Sequence, residues 1–274
     1  MLQDISPSRM DIAYSAVPPK SGDFILPFDK TGRILFRTEN GLLRFVKYGE
    51  MQAAEPLYLF SIDGTGYYLS METNEWPAGY SAENVKELRE LHTYRKTDLF
   101  AAFTAYHLWK WYDENRFCGK CGGKTAHLGT ERALQCTCCG RVIYPRINPA
   151  VIIGVIRDDS LLITHYRKGY AHSALVAGFA EIGEMLEQTV KREVMEETGI
   201  RVKNIRYYKS QPWGMAQDLL TGFFCEADGD DTISMDTNEL KSAQWIRKED
   251  IELQPNDLSL TNEMMKAFKE GKIG

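Results

Sequence analysis

Four cysteines constrain this chain more than any other feature. Cys118 and Cys121 form one C-x-x-C pair, Cys136 and Cys139 form a second, and 14 residues separate the two. Two such knuckles gather four thiolates around one tetrahedral Zn²⁺, so the segment between them has to fold back on itself as a zinc ribbon. Gly122 and Gly140 directly follow the pairs, where a tight knuckle needs a residue that accepts positive φ without steric cost. Cys138 adds a further thiol in the run CTCC, but only Cys136 and Cys139 reproduce the knuckle spacing, so Cys138 is left out of the ligand set. Four thiolates fill the coordination sphere and leave no position for a reacting water, so this zinc is expected to be structural. Clustered thiols used in this way fit a reducing compartment, and a cytoplasmic location is expected. The sixth cysteine, Cys225 in LLTGFFCEA, reads as a buried strand residue.

The rest of the chain arranges itself around that segment. A length of 274 residues with 43% hydrophobic and 26% charged residues predicts an ordinary globular protein of two or three domains. Residues 1–95 carry short β-like runs (FILPF, RILFR, LRFVKYG, PLYLFSI, GYYLS) broken by Gly, Asp and Asn, which predicts an antiparallel β domain. SAENVKELRELH reads as a short helix capped by Ser81. Residues 96–145 hold a connecting helix, Thr97 to Asn115, and the ribbon. The helix's aromatics (Phe100, Phe103, Trp109, Trp111) read as core, and His92 and His107 as structural or surface residues. Residues 146–274 alternate strands with two helices, at 186–198 and from about Ser259, where Ser259 or Thr261 can cap. This is an α+β domain with a mixed sheet. A net charge of -5 argues against a broad phosphate-binding surface. No apolar run reaches the roughly 18–20 residues that cross a bilayer, and the opening MLQDISPSRMDIAY lacks a signal pattern, so no membrane partner is expected.

The chemistry concentrates in one helix. Glu193, Glu196 and Glu197 stand at i, i+3 and i+4, so they project from one helical face. Like charges so placed repel, and hard oxygen ligands gathered this way suit Mg²⁺ or Mn²⁺, which can bridge phosphate oxygens and activate a water. Leu186, Val190, Val194 and Ile200 supply the apolar face, and Gly199 is the expected C-cap. Arg192 cannot act as a base and is expected to hold a carboxylate by a bidentate contact.

The full spacing, G-x5-E-x7-R-E-U-x-E-E-x-G-U with U apolar, is met at every fixed position from Gly178 to Ile200. It is the signature of the Nudix hydrolases, which the chain therefore resembles. The resemblance implies an α/β/α sandwich with a mixed sheet, Mg²⁺ or Mn²⁺ dependence, and substrates built as a nucleoside diphosphate linked to another group. Carried over by position, Glu193, Glu196 and Glu197 look like metal ligands and catalytic residues. Glu197 or a neighbour would orient the attacking water, with Arg192 beside them and Glu184 as an auxiliary carboxylate. The β-rich start, the ribbon entered through RFCGKCG, Tyr144-Pro145 and the segment SQPWGMAQD are similar to the NADH pyrophosphatase group of this family, whose relatives also remove NAD caps from RNA. In that group the array is SQPWPFPxS; here Gly214, Met215 and Ala216 replace PFP and Asp218 replaces Ser. By the same resemblance Phe179, Tyr144, Gln211 and Trp213 look like substrate-binding residues, Glu239 like a further metal ligand, and the protein like a homodimer. The expected reaction is hydrolysis of NADH or NAD⁺ to nicotinamide mononucleotide and AMP. ADP-ribose or NAD-capped RNA as substrate, or a non-catalytic nucleotide- or RNA-binding module, stand as alternatives.

Overall fold

Short apolar runs punctuated by turn residues can bury only one face each, so the first ninety residues pair as narrow strands and not as long ones. In the computed structural model, which describes residues 1–51, 55–71, 78–90, 94–168 and 172–273, these are β1 (Met10–Asp11), β2 (Phe24–Pro27), β3 (Arg33–Glu39), β4 (Leu42–Arg44), β5 (Val46–Lys47), β6 (Leu57–Ile62), β7 (Thr65–Ser70) and β8 (Ser81–Asn84). One sheet runs β1-β6-β7-β2-β5 and a second β4-β3-β8. The expected all-antiparallel arrangement needs correction, because β2 pairs with β7 in parallel, Phe24 opposite Tyr67. The crossover such a pair requires is supplied by the intervening strands. Ser81 likewise caps no helix. Ser81–Asn84 pairs with β3, and only a 3₁₀ turn, Val85–Glu90, follows. His92 lies outside the described residues.

The helix expected after this region is α1 (Lys96–Glu114), with Phe103, Trp109 and Trp111 buried and Phe100 half-buried. Trp109 stacks on Phe28 at 5.3 Å between ring centroids, so its aromatics are core. The ribbon adds β9 (Thr125–His127), β10 (Leu134–Cys136) and β11 (Val142–Ile143) in one antiparallel sheet. Contacts group Gln3–Arg146 with Trp213–Gln217 into one unit, and Met1–Leu2, Ile147–Pro212 and Asp218–Gly274 into another.

The second unit is a three-layer sandwich. Its elements are β12 (Asn148–Arg157), β13 (Ser160–Tyr166), β14 (Val176–Phe179), α2 (Leu186–Thr198), β15 (Val202–Trp213), β16 (Asp218–Ala227), β17 (Leu240–Arg247) and α3 (Leu260–Lys269). The mixed sheet runs β15-β16-β12-β13-β17, with β14 paired to β12. Successive strand side chains face opposite ways, and β12 uses this to serve two cores. Val151, Ile153 and Val155 pack with Val190 and Val194 of α2, whereas Ile152 and Ile156 pack with Leu260, Met264 and Phe268 of α3. Between them Gly154 leaves its place to the Phe224 ring, which a Cβ there would overlap. Cys225 is fully buried on β16, facing the α2 side, and burial pushes its thiol up to about 12. Ser259 caps α3, its side chain accepting from Asn262 N–H at 3.0 Å. Leu2 N–H donates to Leu258 O at 2.9 Å, which fastens the chain's first residues into this unit. Among the described residues no helix is long and apolar enough to cross a membrane.

Candidate functional site

Helix α2 is set by its ends as much as by its apolar stripe. At its start Gln188 Oε1 accepts from Met185 N–H at 2.8 Å, half of a capping box. At its end Gly199 turns left-handed, φ 71°, and its N–H donates to Met195 O. The last carbonyls are also used: Thr198 O accepts from Ser234 N–H at 2.9 Å and Glu197 O from Asp236 N–H at 2.8 Å. That strap leads directly to Glu239.

The three glutamates share the helix but not the same surroundings. Glu197 is 3% exposed, Glu193 is partly covered, and the Glu196 side chain is 59% exposed, so the set fans from the protein interior to solvent. Gly178 on β14 makes room for Glu193, since a Cβ there would fall inside its carboxylate. Burial raises the Glu193 carboxyl, and the charges of Glu196 and Glu239 add to the rise against the pull of Arg192. Burial also pushes Glu197 up to about 8, with Glu239 and Glu193 contributing. Glu239 is thus within electrostatic reach of Glu193 and Glu197, though 41 residues separate it from the nearer one in sequence. Tyr166, which sequence reasoning missed, donates its hydroxyl to the Glu197 carboxylate, 3.2 Å from each oxygen. The same hydroxyl accepts from Ala177 N–H at 3.1 Å. Its only sequence signal was an aromatic with a polar tip at the end of an apolar strand, which does not distinguish it from core.

Arg192 is the hub of the cluster. It grips Glu184 with two parallel bonds, Nε to Oε1 at 2.7 Å and Nη2 to Oε2 at 2.9 Å. It also reaches Glu193 at 2.8 Å, Glu196 at 3.0 Å and Phe179 O at 2.9 Å. The bidentate contact expected of it is made with Glu184. That carboxylate is further engaged by Glu181 N–H and the Thr189 hydroxyl, and the Arg192 guanidinium holds it down at about 2. Glu184 therefore anchors Arg192 and the loop before α2 and has little capacity left for a cation. The carboxylates that remain, Glu193, Glu196, Glu197 and Glu239, are the candidates for a hard divalent cation, although among the described residues they are not drawn together as closely as the cysteines of the ribbon. All four are oxygen ligands, and two of them are raised by burial and mutual repulsion that such an ion would relieve.

The other expected residues divide. Phe179 ends β14 beside Gly178 and is 55% exposed. Tyr144 is 58% exposed, donates to Glu131 at 3.2 Å, and lines a cavity of about 390 Å³ with Trp111, Arg146 and Gln217. Trp213 meets Phe103 edge-on at 5.6 Å. Next to it Gly214 lies against the Phe103 carbonyl, with no room for a Cβ. Gln211 requires correction as a substrate contact. It is fully buried, its Nε2 donates to Leu258 O and its Oε1 accepts from Leu260 N–H, so both ends of the amide are spent fixing the start of α3.

In the ribbon, Gly122 and Gly140 each have φ 72°. The Sγ atoms of Cys118, Cys121, Cys136 and Cys139 lie within 4.8 Å of one another, with separations of 3.8 Å for Cys118–Cys139 and 3.5 Å for Cys121–Cys136. Ligands about 2.3 Å from a tetrahedral Zn²⁺ stand roughly 3.8 Å apart, so the group fits zinc. Among the described residues it is the group of three or more ligating side chains drawn together in this way. Backbone N–H groups of Cys139 and Cys138 point at Cys136 Sγ and bring that thiol down to about 6.

Comparison with known proteins agrees with this geometry. Residues 146–268 match the NUDIX domain and residues 113–144 the NADH pyrophosphatase zinc ribbon domain. Proteins of Shigella flexneri and Escherichia coli strain K12, both called NAD-capped RNA hydrolase NudC, are 46% identical over 149 residues, 53% of this chain and 57% of theirs. The chain thus spans little more than half the length of these curated relatives. A NUDIX hydrolase crystal structure from Nitrosomonas europaea aligns over 57% of this chain and 92% of its own, with a TM-score of 0.50 and 21% identity, a likeness of fold.

Proposed function

For a chain whose residues 146–268 match the NUDIX domain, we propose that it is a Nudix hydrolase carrying out divalent-metal-dependent hydrolysis of the pyrophosphate bond of NADH or NAD⁺, giving nicotinamide mononucleotide and AMP. The observation that carries this reading is Glu197, a buried carboxyl pushed up to about 8 beside Glu193 and Glu239, in a family whose chemistry breaks phosphoanhydrides. The relatives' printed activity on NAD-capped RNA and the NADH pyrophosphatase ribbon support the dinucleotide.

In this reading Glu193, Glu196, Glu197 and Glu239 hold Mg²⁺ or Mn²⁺. When bound, the ion neutralises phosphate charge and lowers the pKa of a coordinated water. Glu197, steadied by Tyr166, orients the attacking water. Arg192 keeps Glu193 and Glu196 in register while Glu184 fixes Arg192. Phe179 and Tyr144 offer exposed ring faces for the base or the nicotinamide. The protein is read as cytoplasmic, where clustered thiols stay reduced, and as a homodimer, in line with its resemblance.

A second reading is favoured by the 213–217 segment. With Gly214 pressed against a helix carbonyl, that turn has no large side chain at this position for a substrate ring. This supports wider acceptance of nucleoside-diphosphate conjugates such as ADP-ribose or NAD-capped RNA. A panel of NADH, NAD⁺, ADP-ribose, diadenosine polyphosphates and NAD-capped RNA, scored by product mass with Mg²⁺ and with Mn²⁺, decides between them. Turnover of none of them, or equal turnover by Glu197→Gln, overturns the proposal.

A further inference from the structure

The ribbon holds five thiols where zinc needs four. Cys138 is exposed and outside the ligand group, yet it sits inside the knuckle that presents two of the ligands. Its backbone N–H points at Cys136 Sγ, 3.4 Å away. Across the ribbon Gly123 has no side chain. A Cβ placed there would stand 2.7 Å from Cys138 Cβ, 3.1 Å from Cys136 Sγ and 3.4 Å from Cys121 Sγ. Those two distances hold Cys138 Cβ within roughly 6 Å of Cys121 Sγ, a gap that side-chain rotation and a small shift of the knuckle can close to disulfide geometry. The nearer neighbours in sequence are poorer partners. Cys139 is adjacent and Cys136 only two residues away, so either bond would close a small strained ring. Cys121 is the partner the fold offers.

We propose that Cys138 is an oxidation site that releases the ribbon's zinc by forming a disulfide with Cys121. The oxidant is hydrogen peroxide. The Cys138 thiolate attacks the peroxide oxygen, the O–O bond breaks, and hydroxide leaves, giving a sulfenic acid at Cys138. The Cys121 thiolate then attacks that sulfur, the S–O bond breaks and a second hydroxide leaves. The two thiols lose two electrons together, the peroxide is reduced to water once the released protons are counted, and zinc is left with three of its ligands. A dithiol reductant reverses the reaction by exchange. Cys118 and Cys136 are buried and their sulfurs are engaged with backbone N–H groups, and Cys121 and Cys139, though exposed, belong to the zinc-ligand group, so Cys138 is the exposed thiol of the ribbon that zinc does not occupy.

This inference rests on the ribbon carrying zinc, so the experiment begins with metal analysis of untreated protein prepared without chelators. About one zinc per chain is the premise; its absence overturns both the ribbon reading and this one. The zinc-loaded protein is then treated with hydrogen peroxide in the presence of a chromogenic zinc chelator. Cys138→Ser, which leaves every ligand in place, is treated alongside. The expected result is release from Cys138→Ser slowed by about tenfold or more, a Cys121–Cys138 linked peptide in the oxidised wild-type digest, and zinc rebinding after dithiothreitol. Equal release rates, or a Cys138 that stays open to alkylation after the zinc has left, overturns the proposal, whatever the hydrolase assays show.

Discussion

Replacing Glu197 by Gln should make the metal-free protein more stable while removing its activity. In the folded chain the carboxyl is pushed from 4.5 up to about 8. Below the unfolded value it is protonated in both states and contributes no difference. As pH rises past about 4.5 the unfolded chain ionises first, so the folded state loses stability until the folded carboxyl itself titrates. At pH 7 the window already crossed is roughly 2.5 pH units at about 1.4 kcal/mol each, a ceiling of about 3.5 kcal/mol. A glutamine keeps the side-chain shape and an oxygen to accept from Tyr166, yet never ionises. It should regain about 1–3 kcal/mol at pH 7, a rise of roughly 3–10 °C in Tm for a unit of this size. The assay is thermal unfolding of both proteins, stripped of divalent ions, from pH 4 to pH 8.5. The two curves should coincide at the acid end and separate upward. Adding Mg²⁺ should stabilise the wild type alone and close the gap, and turnover of the variant should be lower by at least about a hundredfold. Parallel melting curves at every pH, or near-normal turnover in the folded variant, would refute the reasoning.

Other substitutions probe separate parts of the arrangement. Gly178→Ala puts a methyl where the Glu193 carboxylate lies; displacing a ligand by about an ångström should cost on the order of a hundredfold in kcat/KM, with the circular dichroism spectrum unchanged. Cys118→Ser removes a zinc ligand and should abolish stoichiometric zinc by elemental analysis and lower solubility before it alters the intrinsic chemistry. Phe179→Ala should raise KM first, because stacking worth roughly 1–3 kcal/mol is felt by ground and transition states alike. Glu193→Gln should lower chiefly kcat. If steady-state kinetics give both constants unchanged for Phe179→Ala, Phe179 binds no ring.

What could be seen in the sequence was local. The bounds of α2, the left-handed Gly199 and the two knuckle glycines all follow from spacing, because the interactions that set them lie within a few residues. Ser81 shows the limit. It precedes a run with helical character, but pairing of Ser81–Asn84 with β3 satisfies the same backbone groups and wins. Tyr166, which was missed, and Glu239, which only the family resemblance suggested, show it at the site itself. Each reaches the carboxylates only through the β13–β17 pairing, where His165 lies opposite Ser242 and the register shifts by one residue before Tyr166, and nothing in the local pattern specifies that register. Gln211 was misplaced for the opposite reason: the motif around it is recognisable, but its amide is consumed by Leu258 and Leu260, more than forty residues further on.

The hydrogen bond from Leu2 to Leu258 also orders events in time. A ribosome adds roughly 5–20 residues per second, so Leu2 waits on the order of 13–50 s for its partner to emerge. Through that interval Leu2 lacks its native partner, while nearly all of the ribbon-bearing unit, Gln3–Arg146 and Trp213–Gln217, is synthesised. Synthesis therefore passes through the zinc ribbon and then the carboxylate helix before Leu2 can meet its partner.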